Sequence, residues 1–414
     1  MQTRLLGLKG KIMKTTLVCC NQLLLAIFLA LAPVAMASNT WYVNGVEGRN
    51  KNNCKSPQQA CKTIGHAISL ASSGDTIMVA AATYTEHLSI GINLDIIGFS
   101  ASTTIIDGNH HGTVVNISSG TAHVTVSNVT IRNGLARSGG GIYNKGTLTV
   151  SETAVTGNTA SQPDGCKLGC GGSGGGISNS GTLTINNSAV SGNTSTVPGS
   201  CILACANGGG GISNSGTLTI NKSTVSNNSA VNYVPRSNSY GGGIENGGTV
   251  TLTNSTVAYN SAYSGGGIDN GSSALLRVNN STVVGNTPGG GISNVAGSVT
   301  VQNSIFAFSS SDGNCSGTMT SHGYNLSSDD TCNFNDAGDL NNIDPKLGPL
   351  QNNGGPTETI AELEGSLTID AGNPSGCTDS QGHLLKTDQR GFPRPGKDKH
   401  DHRCDMGAYE RQTD

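Results

Sequence analysis

The sequence predicts an all-β solenoid, a parallel β-helix of stacked coils made from short strands. Gly-Gly-Gly-Ile recurs six times, and an asparagine stands two positions after each isoleucine, at Asn144, Asn179, Asn214, Asn246, Asn270 and Asn294. The shortest intervals between repeats are 24 residues, which suits one coil of three strands. Within the repeats, apolar residues alternate with polar ones and show no helical spacing. The asparagines are therefore predicted to be a stack of amides hydrogen-bonded between coils.

Residues 1–37 are predicted to be a secretory signal peptide. Basic residues, the last of them Lys14, precede an apolar run from Leu23 to Val34, and Ala35-Met36-Ala37 supplies a small-x-small cleavage site. The mature chain then begins at Ser38 and lies outside the cell or on its surface. No later stretch is apolar enough to span a membrane.

A short amphipathic helix is predicted to cap the first coil. Ser56-Pro57 has the character of an N-cap and first helical position, and the pattern continues to Gly74. Residues 38–306 then form this cap and the β-helix. The apolar positions predicted to face inward include Leu183 with Ile185, Leu218 with Ile220, Val250 with Leu252, and the single residues Val190, Val225, Val257, Val283 and Ile305. The repeat fades after Phe306, so residues 307–414 are predicted to be a C-terminal cap or module.

The cysteines predict disulfide bonds, because ten remain after the signal peptide in an exported chain. The predicted pairs are Cys54 with Cys61, Cys315 with Cys332, and Cys377 with Cys404. The other four, Cys166, Cys170, Cys201 and Cys205, lie in two insertions 35 residues apart. They fit bonds within each insertion or bonds between neighbouring coils. A tetrahedral zinc site is the alternative.

The charge of the chain excludes some partners. There are 23 Lys and Arg against 26 Asp and Glu, and four of the basic residues lie in residues 1–37, which leaves a mature net charge of about −7. Nucleic acids and anionic membranes are therefore not expected partners. The sequence makes no prediction of oligomeric state.

Both ends of the chain carry a family resemblance. The segments GDTIMVAAATYTEHLSI, LDIIG and TTIIDG resemble the opening of pectin-lyase-like right-handed β-helix proteins. The segments IDPKLGPLQNNGGPTETIAELEGSLTIDAGNP, TDQRGFPRP and CDMGAYE resemble the choice-of-anchor Q module of bacterial surface proteins. The resemblance implies a right-handed β-helix and a surface location, but no catalytic residues. No sorting signal follows Tyr409, which leaves secretion or another mode of retention open.

Departures from the repeat are the candidate functional positions. Glu245 and Asp269 each follow the isoleucine of a repeat, one coil apart. Two carboxylates at the strand spacing would suit a retaining glycosidase or a calcium site. The simpler interpretation is that both point to solvent and keep ordinary pKa values.

Aromatic and basic residues near this pair suggest a sugar-binding surface. The candidates are Tyr233, Arg236, Tyr240, Tyr259 and Tyr263. The stretch His400-Asp401-His402 could bind a metal through two histidines on one strand face, but its setting favours an exposed loop, and no metal ligands are assigned.

The predicted function is that of a secreted or cell-surface protein that binds polysaccharide or another envelope component without catalysis. A polysaccharide lyase or glycoside hydrolase is the second hypothesis, and an adhesin with a protein partner is the third. No cofactor is assigned, although the acidic pair is compatible with Ca²⁺.

Overall fold

The computed structural model describes residues 38–412, apart from 163–164, 169, 203–204, 233–237, 310–311 and 397–402. The predicted signal peptide lies outside the described residues. The described chain is a right-handed parallel β-helix, so the predicted fold class is confirmed. Within these residues, no helix has the length and hydrophobicity needed to cross a membrane.

Strands of successive coils pair in parallel to form four main sheets. Sheet 1 has eleven strands: Thr40–Val43, Asp75–Val79, Leu94–Gly98, His123–Ser127, Thr147–Ser151, Thr182–Asn186, Thr217–Asn221, Thr249–Thr253, Leu275–Asn279, Ser298–Gln302 and Thr320–Ser321. Sheet 2 has ten: Ala82–Thr85, Thr104–Asp107, Thr130–Arg132, Ala154–Thr156, Ala189–Ser191, Thr224–Ser226, Thr256–Ala258, Thr282–Val284, Ile305–Ala307 and Leu326–Ser327. Sheet 3 has nine: Leu88–Ile90, Val115–Ile117, Ile142–Asn144, Ile177–Asn179, Ile212–Asn214, Ile244–Asn246, Ile268–Asn270, Ile292–Asn294 and Cys315–Ser316.

The fourth sheet was not predicted, because the sequence indicated three strands per coil. Sheet 4 has six short strands: Leu135–Ala136, Thr159–Ser161, Thr194–Val197, Ser229–Asn232, Ser261–Ala262 and Thr287–Pro288. They were missed because each is only two to four residues long, and the buried residues that they contribute are mostly small, as Ala160, Ser195 and Ala230 are. Such strands carry almost no apolar alternation.

The interior of the solenoid is filled by the residues that the alternation predicted. Leu183, Ile185, Leu218 and Ile220 are fully buried and stack in register on their counterparts in the next coil. The single positions Val190, Val225, Val257 and Val283 are buried inside as well. The prediction for Ile305 was wrong: Phe306 is in register with Val283 and faces inward, whereas Ile305 lies on the outer side of sheet 2 in the cluster that contains Met406. One continuous core therefore runs through the coils, as expected when each repeat buries its inner face against its neighbours.

The asparagine stack is confirmed as a structural ladder. The side-chain amide of Asn179 donates to the Oδ1 of Asn214 at 2.8 Å, and that of Asn214 donates to Asn246 at 2.9 Å. A second ladder lies between sheets 2 and 4, at Asn158, Asn193, Asn228, Asn260 and Asn286. These buried amides satisfy one another and the corner backbone, which removes them from the candidate ligand groups.

The N-terminal cap differs from the predicted single helix. A 3₁₀-helix spans Pro57–Gln59, and the α-helix begins later and spans Ile64–Leu70, with Thr63 as its N-cap. The chain is extended between them because Cys61 pairs with Val43 and is bonded to Cys54. The disulfide and the strand contact thus override the helical pattern of residues 56–63.

All five disulfides join neighbouring cysteines in the sequence. The predicted pairs Cys54–Cys61, Cys315–Cys332 and Cys377–Cys404 are present. The two insertions contain Cys166–Cys170 and Cys201–Cys205, so the bonds lie within the insertions and not between coils. Since all four of these sulfurs are paired, the zinc alternative was wrong.

The chain continues the solenoid beyond residue 306 and then folds back. Short strands from Cys315 to Ser327 add to sheets 3, 1 and 2. Leu347–Gln351 and Thr359–Glu362 form an antiparallel hairpin, and later residues that the structure describes, such as Gln389 and Ala408, lie on the outer side of sheet 2. Contacts there include Thr256 with Gln389 at 2.7 Å, and Met406 packed among Ala258, Val284 and Ala307. We call residues 345–412 the C-terminal strap.

One buried acid in the strap is not hydrogen-bonded. Glu362 is 5% exposed, and neither of its carboxyl oxygens has a hydrogen-bond partner within the described structure. Burial raises the pKa of Glu362 well above its ordinary value, and the charge of Asp405 raises it further. The positive charge of Arg394 lowers the pKa of Glu362, and the negative charge of Glu410 raises it. The folded protein therefore favours the neutral acid.

Glu362→Gln is expected to remove a pH dependence of stability. Because the folded pKa is raised, the stabilising contribution is complete below the unfolded pKa and is lost as pH rises toward the folded value. The free energy of unfolding of the wild type should fall relative to the variant by at most about 1.4 kcal/mol per pH unit. Urea unfolding of both proteins between weakly acidic and weakly alkaline pH measures this. Parallel pH profiles would contradict a neutral Glu362.

Candidate functional site

The two predicted acids stand next to each other on sheet 3. Glu245 is the middle residue of strand Ile244–Asn246, and Asp269 is the middle residue of Ile268–Asn270. The strands pair in parallel with Glu245 directly opposite Asp269. Their Cα atoms are therefore separated by about the strand spacing of 4.8 Å. Isoleucines and asparagines on either side point inward, so both carboxylates lie on the outer side of the sheet.

The chain just before each glycine triplet folds back over this outer side, and we call these folded-back residues the cover. The first glycine has a positive φ in five of the six triplets, for example 57° at Gly241 and at Gly265. This left-handed conformation reverses the chain and is readily available only to glycine. The residues just before these glycines, Tyr240 and Ser264, lie beside the outer row of sheet 3 and pair with each other across adjacent coils.

The carboxylates are held by serine hydroxyls of the neighbouring coils and of this cover. Ser213 donates to the Oε2 of Glu245 at 2.8 Å, and Ser264 donates to the Oδ2 of Asp269 at 2.8 Å. Gly208 lies so close to the Glu245 carboxylate that a Cβ there would collide with it. The site is therefore pre-formed, and Ser213, Ser264 and Gly208 are members that sequence reasoning missed. A signal existed in the glycine triplets, which imply a sharp reversal at each repeat.

The expectation of solvent-facing acids with ordinary pKa values was wrong. Asp269 is only 5% exposed, and Glu245 is half-buried. Burial raises the pKa of Glu245, the Ser213 hydrogen bond opposes this, and the Asp269 charge adds to it. Burial also raises the pKa of Asp269, against hydrogen bonds from Ser264 and Ser293. The prediction that both side chains face outward was correct, but the chain that folds back over the sheet buries Asp269 and half-buries Glu245.

The pair has two chemical capacities. With raised pKa values, one carboxyl can hold a proton and act as an acid beside a second carboxylate. Both carboxylates and the serine hydroxyls are also oxygen ligands of the kind that hard cations take. Elsewhere in the described residues, a group of three metal-ligating side chains occurs at Cys54, Cys61 and His66, where the two sulfurs form a disulfide. Calcium at the acidic pair stays a prediction.

Two of the predicted tyrosines are exposed on the coil that carries Asp269. Tyr259 is 42% exposed at the corner after sheet 2, and Tyr263 is 67% exposed directly after the sheet 4 strand. Tyr240 is half-buried, and its hydroxyl accepts a hydrogen bond from Asn238 at 2.9 Å. We call Tyr259 and Tyr263 the tyrosine shelf.

The other sequence candidates cannot be placed. Tyr233 and Arg236 lie outside the described residues, as does the stretch His400-Asp401-His402. Of the predicted site, the structure therefore describes the acidic pair, as direct neighbours on sheet 3, and the tyrosine shelf, on the coil that carries Asp269.

A second regular surface lies on the outer side of sheet 1. Four consecutive coils carry Thr-x-Thr in their strands, at Thr147 and Thr149, Thr182 and Thr184, Thr217 and Thr219, and Thr249 and Thr251. All eight side chains are half-buried or exposed, and they align in two ranks. We call this surface the threonine face. Sequence reasoning did not recognise these paired ranks.

The same fold is found in solved structures of other proteins. Pectate lyase Pel9A superposes with a TM-score of 0.50 at 16% identity, over 91% of this chain and 98% of that chain. The pectin methylesterase PemA from Erwinia chrysanthemi reaches a TM-score of 0.30 at 15% identity, over 64% of this chain and 81% of that chain. At this identity the likeness to Pel9A establishes the fold alone. No protein-family model matches the chain, and no curated protein does either.

Proposed function

We propose that this is an exported protein that binds an extended polysaccharide on its outer surface without cleaving it. The observation that carries the proposal is the tyrosine shelf, which exposes two aromatic rings on the coil that carries the buried acid Asp269. Exposed tyrosines offer apolar faces to sugar rings and hydroxyls to their polar edges. The five disulfides support export, because such bonds persist in oxidising compartments. Attachment to the cell surface through the C-terminal strap also belongs to this proposal.

Replacing the shelf should weaken glycan binding without unfolding the protein. Each aromatic contact contributes about 0.5–1.5 kcal/mol, so Tyr259→Ala and Tyr263→Ala should each lower the affinity about 2- to 12-fold. A glycan array identifies the ligand, and calorimetry with the best hit measures the change. Tyr42→Ala is the control, since Tyr42 is a half-buried tyrosine of the first strand of sheet 1. Equal losses in all three variants would contradict a role for the shelf.

A polysaccharide lyase or glycoside hydrolase is the second candidate function. The observation that favours it is the pair of opposed acids with raised pKa values, since retaining glycosidases hold two carboxyl groups about 5–5.5 Å apart. Assays for reducing ends and for unsaturated products on the bound glycan test it. Cleavage that is abolished by Glu245→Gln and Asp269→Asn would establish this activity. Binding with no product from any polymer would leave the non-catalytic proposal standing.

A further inference from the structure

The threonine face differs from the internal ladders in its unused hydrogen-bonding capacity. In the buried ladders, each asparagine amide is bonded to the next coil. By contrast, no hydroxyl of the eight threonines on the face is hydrogen-bonded to any other residue that the structure describes. The ranks therefore present hydroxyls and methyl groups that are free to contact something outside the protein.

The ranks form a two-dimensional lattice with fixed spacings. The strands pair residue for residue across all four coils, so Thr149, Thr184, Thr219 and Thr251 are in register, and so are Thr147, Thr182, Thr217 and Thr249. Neighbours within a rank are about 4.7–4.9 Å apart, and the two ranks are about 6.6–6.8 Å apart. Threonine is branched at Cβ and stiff at χ1, which keeps the hydroxyls of one rank aligned.

These spacings resemble those of a tetrahedral water network. Waters that are hydrogen-bonded at about 2.75 Å place second neighbours about 4.5 Å apart within a layer and repeat at about 7.3 Å along the perpendicular axis. The ranks differ from these repeats by about 0.3 Å in one direction and about 0.6 Å in the other. The methyl groups between the hydroxyls favour ordered water, because apolar surface does not compete for its hydrogen bonds.

The chemistry of the face excludes the usual means of polymer recognition. Within the two ranks of these coils there is no charged and no aromatic side chain. The ranks end where other side chains replace the threonines. His123 ends one rank and Asp95, beyond Thr125, ends the other, and at the opposite side the ranks end at Leu275 and Arg277. A sugar polymer would be expected to use stacking rings or charged hydrogen-bond partners, which lie at the ends and on other faces.

We infer that the threonine face binds the surface of ice. Water that the two ranks order would join the lattice of the ice crystal. Because the ranks are already in register, the protein would not need to change its conformation to adsorb. The inference is independent of the proposed glycan site, which uses the tyrosine shelf at the sheet 2 corner and sheet 4.

Ice partitioning tests the inference directly. The chain from Ser38 onward should be enriched in a slowly growing ice hemisphere and should shape ice crystals in supercooled solution. The double variant Thr184→Lys with Thr219→Lys should lose both effects and fall to the level of an unrelated protein of the same size. The matched control is Thr159→Lys with Thr194→Lys, which changes two outward threonines in register on sheet 4 and should keep both effects.

Two further measurements keep the outcome decisive. Circular dichroism and thermal unfolding establish that both double variants are folded. The milder Thr184→Ser with Thr219→Ser keeps the hydroxyls but removes the methyl groups, so it should show weaker ice shaping in a structure that is otherwise unchanged. A wild-type chain that is excluded from ice, or a face variant that binds as well as the control, would overturn the inference. Adsorption to an insoluble polysaccharide but not to ice would overturn it in favour of a polymer ligand.

Discussion

Asn214→Asp is expected to destabilise the protein by about 3–5 kcal/mol at neutral pH, although it only replaces the side-chain NH2 group by an oxygen atom. Asn214 is 2% exposed, and its amide nitrogen donates to the Oδ1 of Asn246, to Gly216 O and to Thr249 O. A carboxylate there would turn three donor contacts into contacts between acceptors and would bury a charge. Urea unfolding of the variant and the wild type measures the loss.

The acid dependence of this loss distinguishes charge burial from general damage. Among the described residues, Asn179 is the donor to the side-chain oxygen of Asn214, so a buried carboxyl there should have a folded pKa raised above the unfolded value of about 3.9. The penalty should therefore be complete at neutral pH and shrink as pH falls toward that unfolded value.

The control is Asn221→Asp, because Asn221 bonds to Asn186 from a half-buried position on the outer side of sheet 1. This variant should stay within about 0.5 kcal/mol of the wild type, as most surface substitutions do. An equal loss in both variants, or a loss at Asn214 that does not change with pH, would contradict the role of the ladder.

The fold could be predicted because each level of the sequence indicates the same structure. The spacing of the repeats sets the coil, the alternation of residues such as Leu218 and Ile220 sets the inner face, and glycine and asparagine fit the corners. The helix boundary could not be predicted in this way. The pattern from Pro57 to Gly74 is continuous in sequence, but the Cys54–Cys61 bond and the contact with Val43 are tertiary constraints.

The site was only half predictable. Strand parity alone places Glu245 and Asp269 outward, because the isoleucines and asparagines on either side face the core. Their burial depends on Ser264 and Gly208, which precede the glycine triplets and fold over the sheet. The alternation of inward and outward residues along a strand does not show whether another segment of the chain covers the outer face. The raised pKa values follow first from the burial that this return causes, and at Glu245 the charge of Asp269 adds to the effect.

The C-terminal strap could have been predicted from the outward residues of sheet 2. In the strands Thr256–Ala258 and Thr282–Val284, the outward residues Ala258 and Val284 are apolar, unlike Thr156 or Ser191 in earlier coils. An outer face that changes from polar to apolar indicates a cover. The structure places Ile360 and Met406 of the strap on these residues.

Arg394→Met should loosen the strap and lower stability by about 3–5 kcal/mol, because removing one partner of a buried ion pair leaves the other charge uncompensated. The ion pair between the Nε of Arg394 and the Oε2 of Glu410 has a length of 3.0 Å, and both side chains are fully buried. The same guanidinium donates to Asn254 of the solenoid at 2.8 Å and to two carbonyls of the strap. Limited proteolysis should cut residues 345–412 first, and urea unfolding should measure the loss.

The control and a double variant identify which part of this loss is electrostatic. Arg277→Met changes an arginine on the outer side of sheet 1 and should have an effect within about 0.5 kcal/mol. Adding Glu410→Gln to Arg394→Met removes the uncompensated charge, while one of the two backbone donors that now reach separate carboxylate oxygens, Gly396 N and Asp405 N, can still donate to the amide oxygen. Stability should then recover in part, since the cost of a lone buried charge exceeds that of an absent pair. If the double variant were no more stable than Arg394→Met, charge compensation would not account for the loss, and the missing hydrogen bonds from the guanidinium to Asn254 and to the strap carbonyls would.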